Sequence, residues 1–106
     1  MIIPSEVNIL GLKYQVKIVQ NLKEVIMPYL SEKEKNEDYL GYFVNENLTI
    51  FLDGCQTRQI LEHTLLHEIV EALDCHLATK LKHDTIERLG SGLYQVLQEN
   101  NLLEKE

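Results

Sequence analysis

Within LEHTLLHEIVEALD, residues 61–74, His67 is followed at once by Glu68. A zinc-peptidase helix reads His-Glu-any-any-His. The fifth position here holds Glu71 in place of the second histidine. Four residues make a little over one helical turn, so His63, His67 and Glu71 line one ridge, each displaced by about 40°. That spacing lets two side chains grip one ion. Glu68 is turned about 100° from His67. In the peptidase pattern this offset aims a carboxylate at a metal-bound water, where it acts as general base. Glu71 does not exclude metal, since a carboxylate holds zinc through oxygen at about 2.0–2.2 Å. Its negative charge weakens the cation's Lewis acidity and admits harder ions. Zn²⁺ is the expected ion, with Mn²⁺ or no ion as the alternatives.

A catalytic zinc site usually has three protein ligands. Two residues compete for the third place. Chemistry favours His83, because imidazole suits zinc and Glu87 could be occupied in a capping box with Asp84. An antiparallel helical hairpin about residue 80 favours Glu87, which comes level with Leu73, near Glu71. The same hairpin brings His83 level with Leu77. Against the metal site stands a plainer reading of the string, a ridge of solvated or hydrogen-bonded polar residues. His63 then is a helix-surface residue and His76 a boundary residue. Asp74 is solvated or paired with Lys80 or Lys82. Tyr94 packs at a helix edge rather than donating to a substrate carbonyl.

These residues need elements to hold them. Residues 6–20 suggest two short strands around Gly11, with Tyr14, Val16 and Ile18 alternating inward. NLKEVIMPYL is either a short helix stopped before Pro28 or a loop. SEKEKNED reads as a solvated, flexible charge run. YLGYFVNENLTIFLD reads as a hairpin. Residues 56–78 turn helical, with Leu61, Leu65, Ile69, Leu73 and Leu77 as the apolar stripe and Leu66, Val70 and Ala72 widening it. A last helix over 84–100 carries Ile86, Leu89, Leu93, Val96 and Leu97. Gly90 and Gly92 oppose it locally and mark a close approach to a neighbour. The expected fold is α+β, one domain over residues 1–106, with a small antiparallel sheet followed by two packed C-terminal helices.

Seventeen acidic against ten basic residues give a net charge of -7, which disfavours a sequence-independent nucleic-acid binder. No apolar run approaches the roughly 20 residues of a membrane helix, and the N-terminus lacks the pattern of a signal peptide. The expected location is the cytoplasm. Cys55 and Cys75 would lie about 30 Å apart along one helix, too far to bridge, and are read as free thiols.

The order of elements is more specific than the string. A hairpin, the helix bearing TLLHEI, and a closing helix bearing GLYQVL follow one another directly over residues 40–100. This arrangement resembles small phage and prophage proteins related to the ImmA/IrrE-type metallopeptidases. The resemblance implies His67 as first ligand, Glu68 as general base, Glu71 at the second ligand's position, and His83 or Glu87 as the third. It implies a phage-encoded domain in the host cytoplasm that hydrolyses peptide bonds, active or degenerate. The alternative is a non-catalytic phage protein on the same scaffold, acting through a protein partner or by self-association. The short segment before the hairpin leaves little material for a substrate cleft.

Overall fold

The alternation in KYQVKIV buries Tyr14 and Val16 and leaves Gln15 and Lys17 exposed. In the computed structural model, which describes residues 3–103, this stretch belongs to β2 (Leu12–Val19). It pairs antiparallel with β1 (Glu6–Ile9) across a turn where Leu10 and Gly11 take positive φ. β3 (Gly41–Val44) and β4 (Thr49–Asp53) form the expected hairpin. The sheet order is β1-β2-β4-β3, with β2 and β4 parallel. The sheet is therefore mixed, whereas an all-antiparallel one was expected. Parallel neighbours need a long crossover, and residues 20–40 supply it.

That crossover covers one face of the sheet. α1 (Leu22–Ile26) runs into a single 3₁₀ turn at Met27–Tyr29, so the chain stays helical through Pro28. Leu22, Ile26 and Leu30 pack with Val44 and Phe51. Ile50 and Leu52 alternate to the opposite face, where Tyr14, Val16, Leu65 and Ala72 join them. Ile18 was expected on this inner face. It stands at the strand's end beside Gly54 and is 48% exposed.

α2 (Arg58–Leu77) starts where the Thr57 hydroxyl accepts the Ile60 N–H, and ends at Ala78 in a left-handed conformation. Leu65 and Ala72 lie in the core, with Leu61, Ile69 and Leu73 at its margin. Leu77 is exposed. α3 (His83–Glu99) packs on α2 by a row that keeps Ile86 and Leu97 of the expected stripe but not Leu89, Leu93 or Val96. Ile86 and Gly90 are buried, with Tyr94 and Leu97 half-buried, whereas Leu89, Leu93 and Val96 are 49%, 40% and 47% exposed. Gly90 sets this row: a Cβ there would lie 3.2 Å from the His67 Cα. Gly92 faces open space, so only the first of the two glycines marks a close approach. Lys82, without a side-chain cap, precedes the helix. The Asp84–Glu87 capping box does not form.

Burial decides the expected stability effects. Leu65→Ala should cost about 2–5 kcal/mol, as for large-to-small changes in a core. Leu93→Ala, at an exposed position, should cost less than about 1 kcal/mol. Urea midpoints measure both, and equal losses would mean that the contact row of α3 is misplaced. Among the described residues, no helix is long and apolar enough to cross a membrane. Cys55 and Cys75 are both free and exposed.

Candidate metal centre and its cleft

Three polar residues of α2, Glu62, Thr64 and Glu68, are buried. A helix in contact with solvent on one side would turn them outward. Here that side meets β3 and α3. Glu68 is only 4% exposed, and its Oε1 has no hydrogen-bond partner. Gly41 of β3 makes the room: a Cβ there would stand 2.6 Å from Thr64 Cγ2 and 3.2 Å from Glu68 Oε2.

His67 and Glu71 stand one turn apart, with Nε2 and Oε2 separated by 3.8 Å. One ligand atom from each of His67, Glu68 and Glu71 lies within 4.8 Å of the others. Two atoms bound to one zinc at about 2.0–2.2 Å are at most about 4.4 Å apart. The trio therefore needs only small side-chain adjustments to share an ion. Burial pushes the Glu68 carboxyl well above its ordinary pKa, and the charge and hydrogen bond of Glu71 act in the same direction. Burial also lowers the pKa of His67, aided by His83 and His63 and opposed by Glu71 and Glu87. A lowered pKa favours the neutral imidazole, the form that binds metal.

Both candidates for a third ligand line the same cleft. The His83 ring stands 5.8 Å from the His67 ring, edge to face. Simple levelling of the helices put His83 beside Leu77. Helix α3 instead begins at His83 itself, so the residue is held by the first turn rather than by the connector. Glu87, without a capping box, joins the cleft lining.

The neighbouring polar residues are accounted for. His63 Nε2 is 2.9 Å from Ser91 Oγ, and its ring stacks on Tyr94. The Tyr94 hydroxyl donates to Glu62 Oε1 at 2.7 Å, tying α3 to α2. Burial and Glu62 push this phenol up to about 12. His76 meets the hydroxyl of the buried Tyr14. Asp74 accepts from the Thr79 hydroxyl and the Leu81 N–H, closing the end of α2, rather than pairing with Lys80 or Lys82.

The expected lack of cleft material does not hold. A cleft of about 510 Å³ lies between α2, the start of α3 and a wall formed by residues 34–43. Glu34, Glu37 and Asp38 of that wall come from the segment read as a flexible charge run, and residues 39–43 from the start of the hairpin. The Ser31 N–H donates to Glu34 Oε1 at 2.9 Å, and the Glu34 N–H donates to Ser31 Oγ at 3.3 Å. This is the reciprocal Ser-any-any-Glu pattern of a capping box, legible in SEKE and overlooked among its charges. Lys23 Nζ donates to the Glu37 carbonyl. Tyr39 and Tyr42 then meet edge to face, with ring centroids 5.5 Å apart.

Fold and site together define a small α+β protein with an imidazole–carboxylate cluster at the base of an acidic cleft. No family model, curated protein or solved structure matches this chain.

Proposed function

We propose that this chain is a metal-dependent peptide hydrolase of the ImmA/IrrE-like kind. His67 and Glu71 hold a divalent cation, zinc before manganese, His83 completes the ligand set, and Glu68 is the general base. The observation that carries the reading is the buried Glu68 carboxyl. It has an oxygen without a partner, sits beside a histidine and a second carboxylate, and faces a cleft. Burying such a group disfavours its charged form. Sites that accept this penalty are often functional. The preference for His83 over Glu87 rests on its ring standing beside His67.

A cation held there would polarise the scissile carbonyl and make a water acidic near neutral pH. Glu68 takes the proton that this water gives up and returns it to the leaving amine. A carboxyl pKa raised toward neutrality suits both transfers. β3 positions the peptide. It is one of the sheet's two edge strands and lines the cleft. The Asp53 N–H donates to the Leu40 carbonyl. By the alternation of an antiparallel ladder, Gly41 and Phe43 turn their backbone groups to the free side. An extended peptide can pair there as an added strand.

The non-catalytic reading has one observation in its favour, the exposed row Leu89, Leu93 and Val96 on α3, which suits association. A single experiment separates the two. The chelator-stripped chain is incubated with a mixed peptide library, with Zn²⁺, with Mn²⁺ or with chelator, and new termini are read by mass spectrometry. We expect new termini with metal and none with chelator. An intact library under both ions would leave the binding module as the function.

A further inference from the structure

The cleft has a one-sided charge. Glu34, Glu37 and Asp38 stand on one wall, Glu71 and Glu87 on the other, and Glu68 at the base, and no lysine or arginine lines it. Lys35 pairs with Glu32, and Lys23 bonds the Glu37 backbone carbonyl, which brings one positive charge to that wall. The side chains of Glu34 and Glu37 accept hydrogen bonds from neutral donors, the Ser31 N–H and the Tyr39 hydroxyl. Neutral donors leave their charge in place. One divalent cation offsets two of the charges. The remainder still faces the opening.

From this we infer that the cleft selects peptides carrying a lysine or arginine side chain next to the bond to be cleaved. The inference rests on the hydrolase reading above and names its substrate class. The acidic cluster is not its only support. Glu68 has a carboxylate oxygen without a partner in the same cleft, which marks the cleft as built for a ligand. Tyr39 and Tyr42 also line the cleft while packing against Leu22, Ile26 and Leu30, and the aliphatic stem of a long basic side chain can lie along them. Burial raises the Tyr42 pKa, and Glu34 on one wall and Glu71 on the other raise it further. The open β3 edge makes a peptide, rather than a free amine, the fitting ligand.

The test uses full-length Zn²⁺-loaded Glu68→Gln protein, which should hold a peptide uncut. Fluorescent pentapeptides that differ only in a central Lys, Arg, Gln or Glu are titrated by anisotropy. Lys and Arg peptides should bind about tenfold tighter than the Gln peptide at low salt, as expected from a few rim charges. The Glu peptide should bind most weakly. The preference should shrink severalfold as salt rises from about 20 to about 300 mM, because screening acts on exposed charges. Adding Glu34→Gln, Glu37→Gln and Asp38→Asn should reduce it to about twofold, with helical circular dichroism and zinc affinity retained. Equal affinity for Lys and Gln peptides would overturn the inference, as would a full preference in the carboxamide variant. The salt series needs no change in the wall and decides the matter even if that variant fails to fold. Wild-type cleavage without a charge preference would sink this inference and leave the hydrolase reading standing. A Lys preference without any wild-type cleavage would do the reverse, keeping the ligand class.

Discussion

Glu68→Gln should lower the kcat/KM of peptide hydrolysis by about 10²–10⁴-fold, the usual contribution of a positioned general base. It should also raise the melting temperature of the metal-free chain near neutral pH. The second effect has the opposite sign from that of most buried substitutions, so it distinguishes a functional group from a structural one. Glu68 has a folded pKa raised well above the ordinary 4.5 by burial and by Glu71. Below that ordinary value, Glu68 is protonated in both the folded and unfolded states and causes no loss. As pH rises from there through the folded value, the unfolded chain ionises first and stability is lost. Glutamine has no such charge, and its amide can still donate to Glu71. The gain should be absent in acid and grow with pH, to about 1–3 kcal/mol, the usual penalty for a buried unsatisfied polar group. Thermal melts of both proteins in chelator, across the acid-to-neutral range, measure it. Unchanged hydrolysis would remove Glu68 from the mechanism, and a variant that melts lower at every pH would make it a structural residue.

The parts of this site that lay on one element were legible in the sequence. The ridge from His63 through His67 to Glu71 follows from helical spacing alone, and Leu65 and Ala72 were placed in the core by the same period. The row of α3 was partly misplaced because three of its apolar residues, Leu89, Leu93 and Val96, lie on the solvent side. A glycine gives no hydrophobic signal, yet Gly90 fixes the contact by letting the α2 backbone come close. The role of Gly41 was hidden for a similar reason, since what matters there is the absence of a side chain opposite Glu68. The parallel β2–β4 pair and the far wall of the cleft depend on how residues 20–40 return across the sheet. No local pattern encodes that path. The cap at Ser31–Glu34 was readable, but eight polar residues in succession looked like a solvated run.

His67→Ala should remove zinc binding, and with it the thermal stabilisation that zinc gives the wild type. A ligand that binds only the folded state adds about 2.7 kcal/mol at a concentration one hundred times its Kd. This corresponds to about 11–22 °C in the melting temperature of a chain of this size, at about 4–8 °C per kcal/mol. The ion's entry is a competition with protons, and the two key groups pull in different directions. The lowered pKa of His67 means that acid removes this ligand later than it would an ordinary imidazole. The raised pKa of Glu68 means that the Glu68–Glu71 pair still holds a proton at pH values where ordinary carboxyls have lost theirs. Zinc entering beside Glu71 should expel that proton. Binding should therefore weaken as pH falls through the raised Glu68 value. Calorimetry in buffers of different ionisation enthalpy counts the protons released, and Glu68→Gln should release fewer than the wild type. His83→Ala should weaken zinc by about tenfold or more, and Glu87→Gln by less, if His83 is the third ligand. The reverse order would give that place to Glu87. Equal melting shifts in wild type and His67→Ala would show that the ion binds elsewhere and that the HEIVE ridge is not its site.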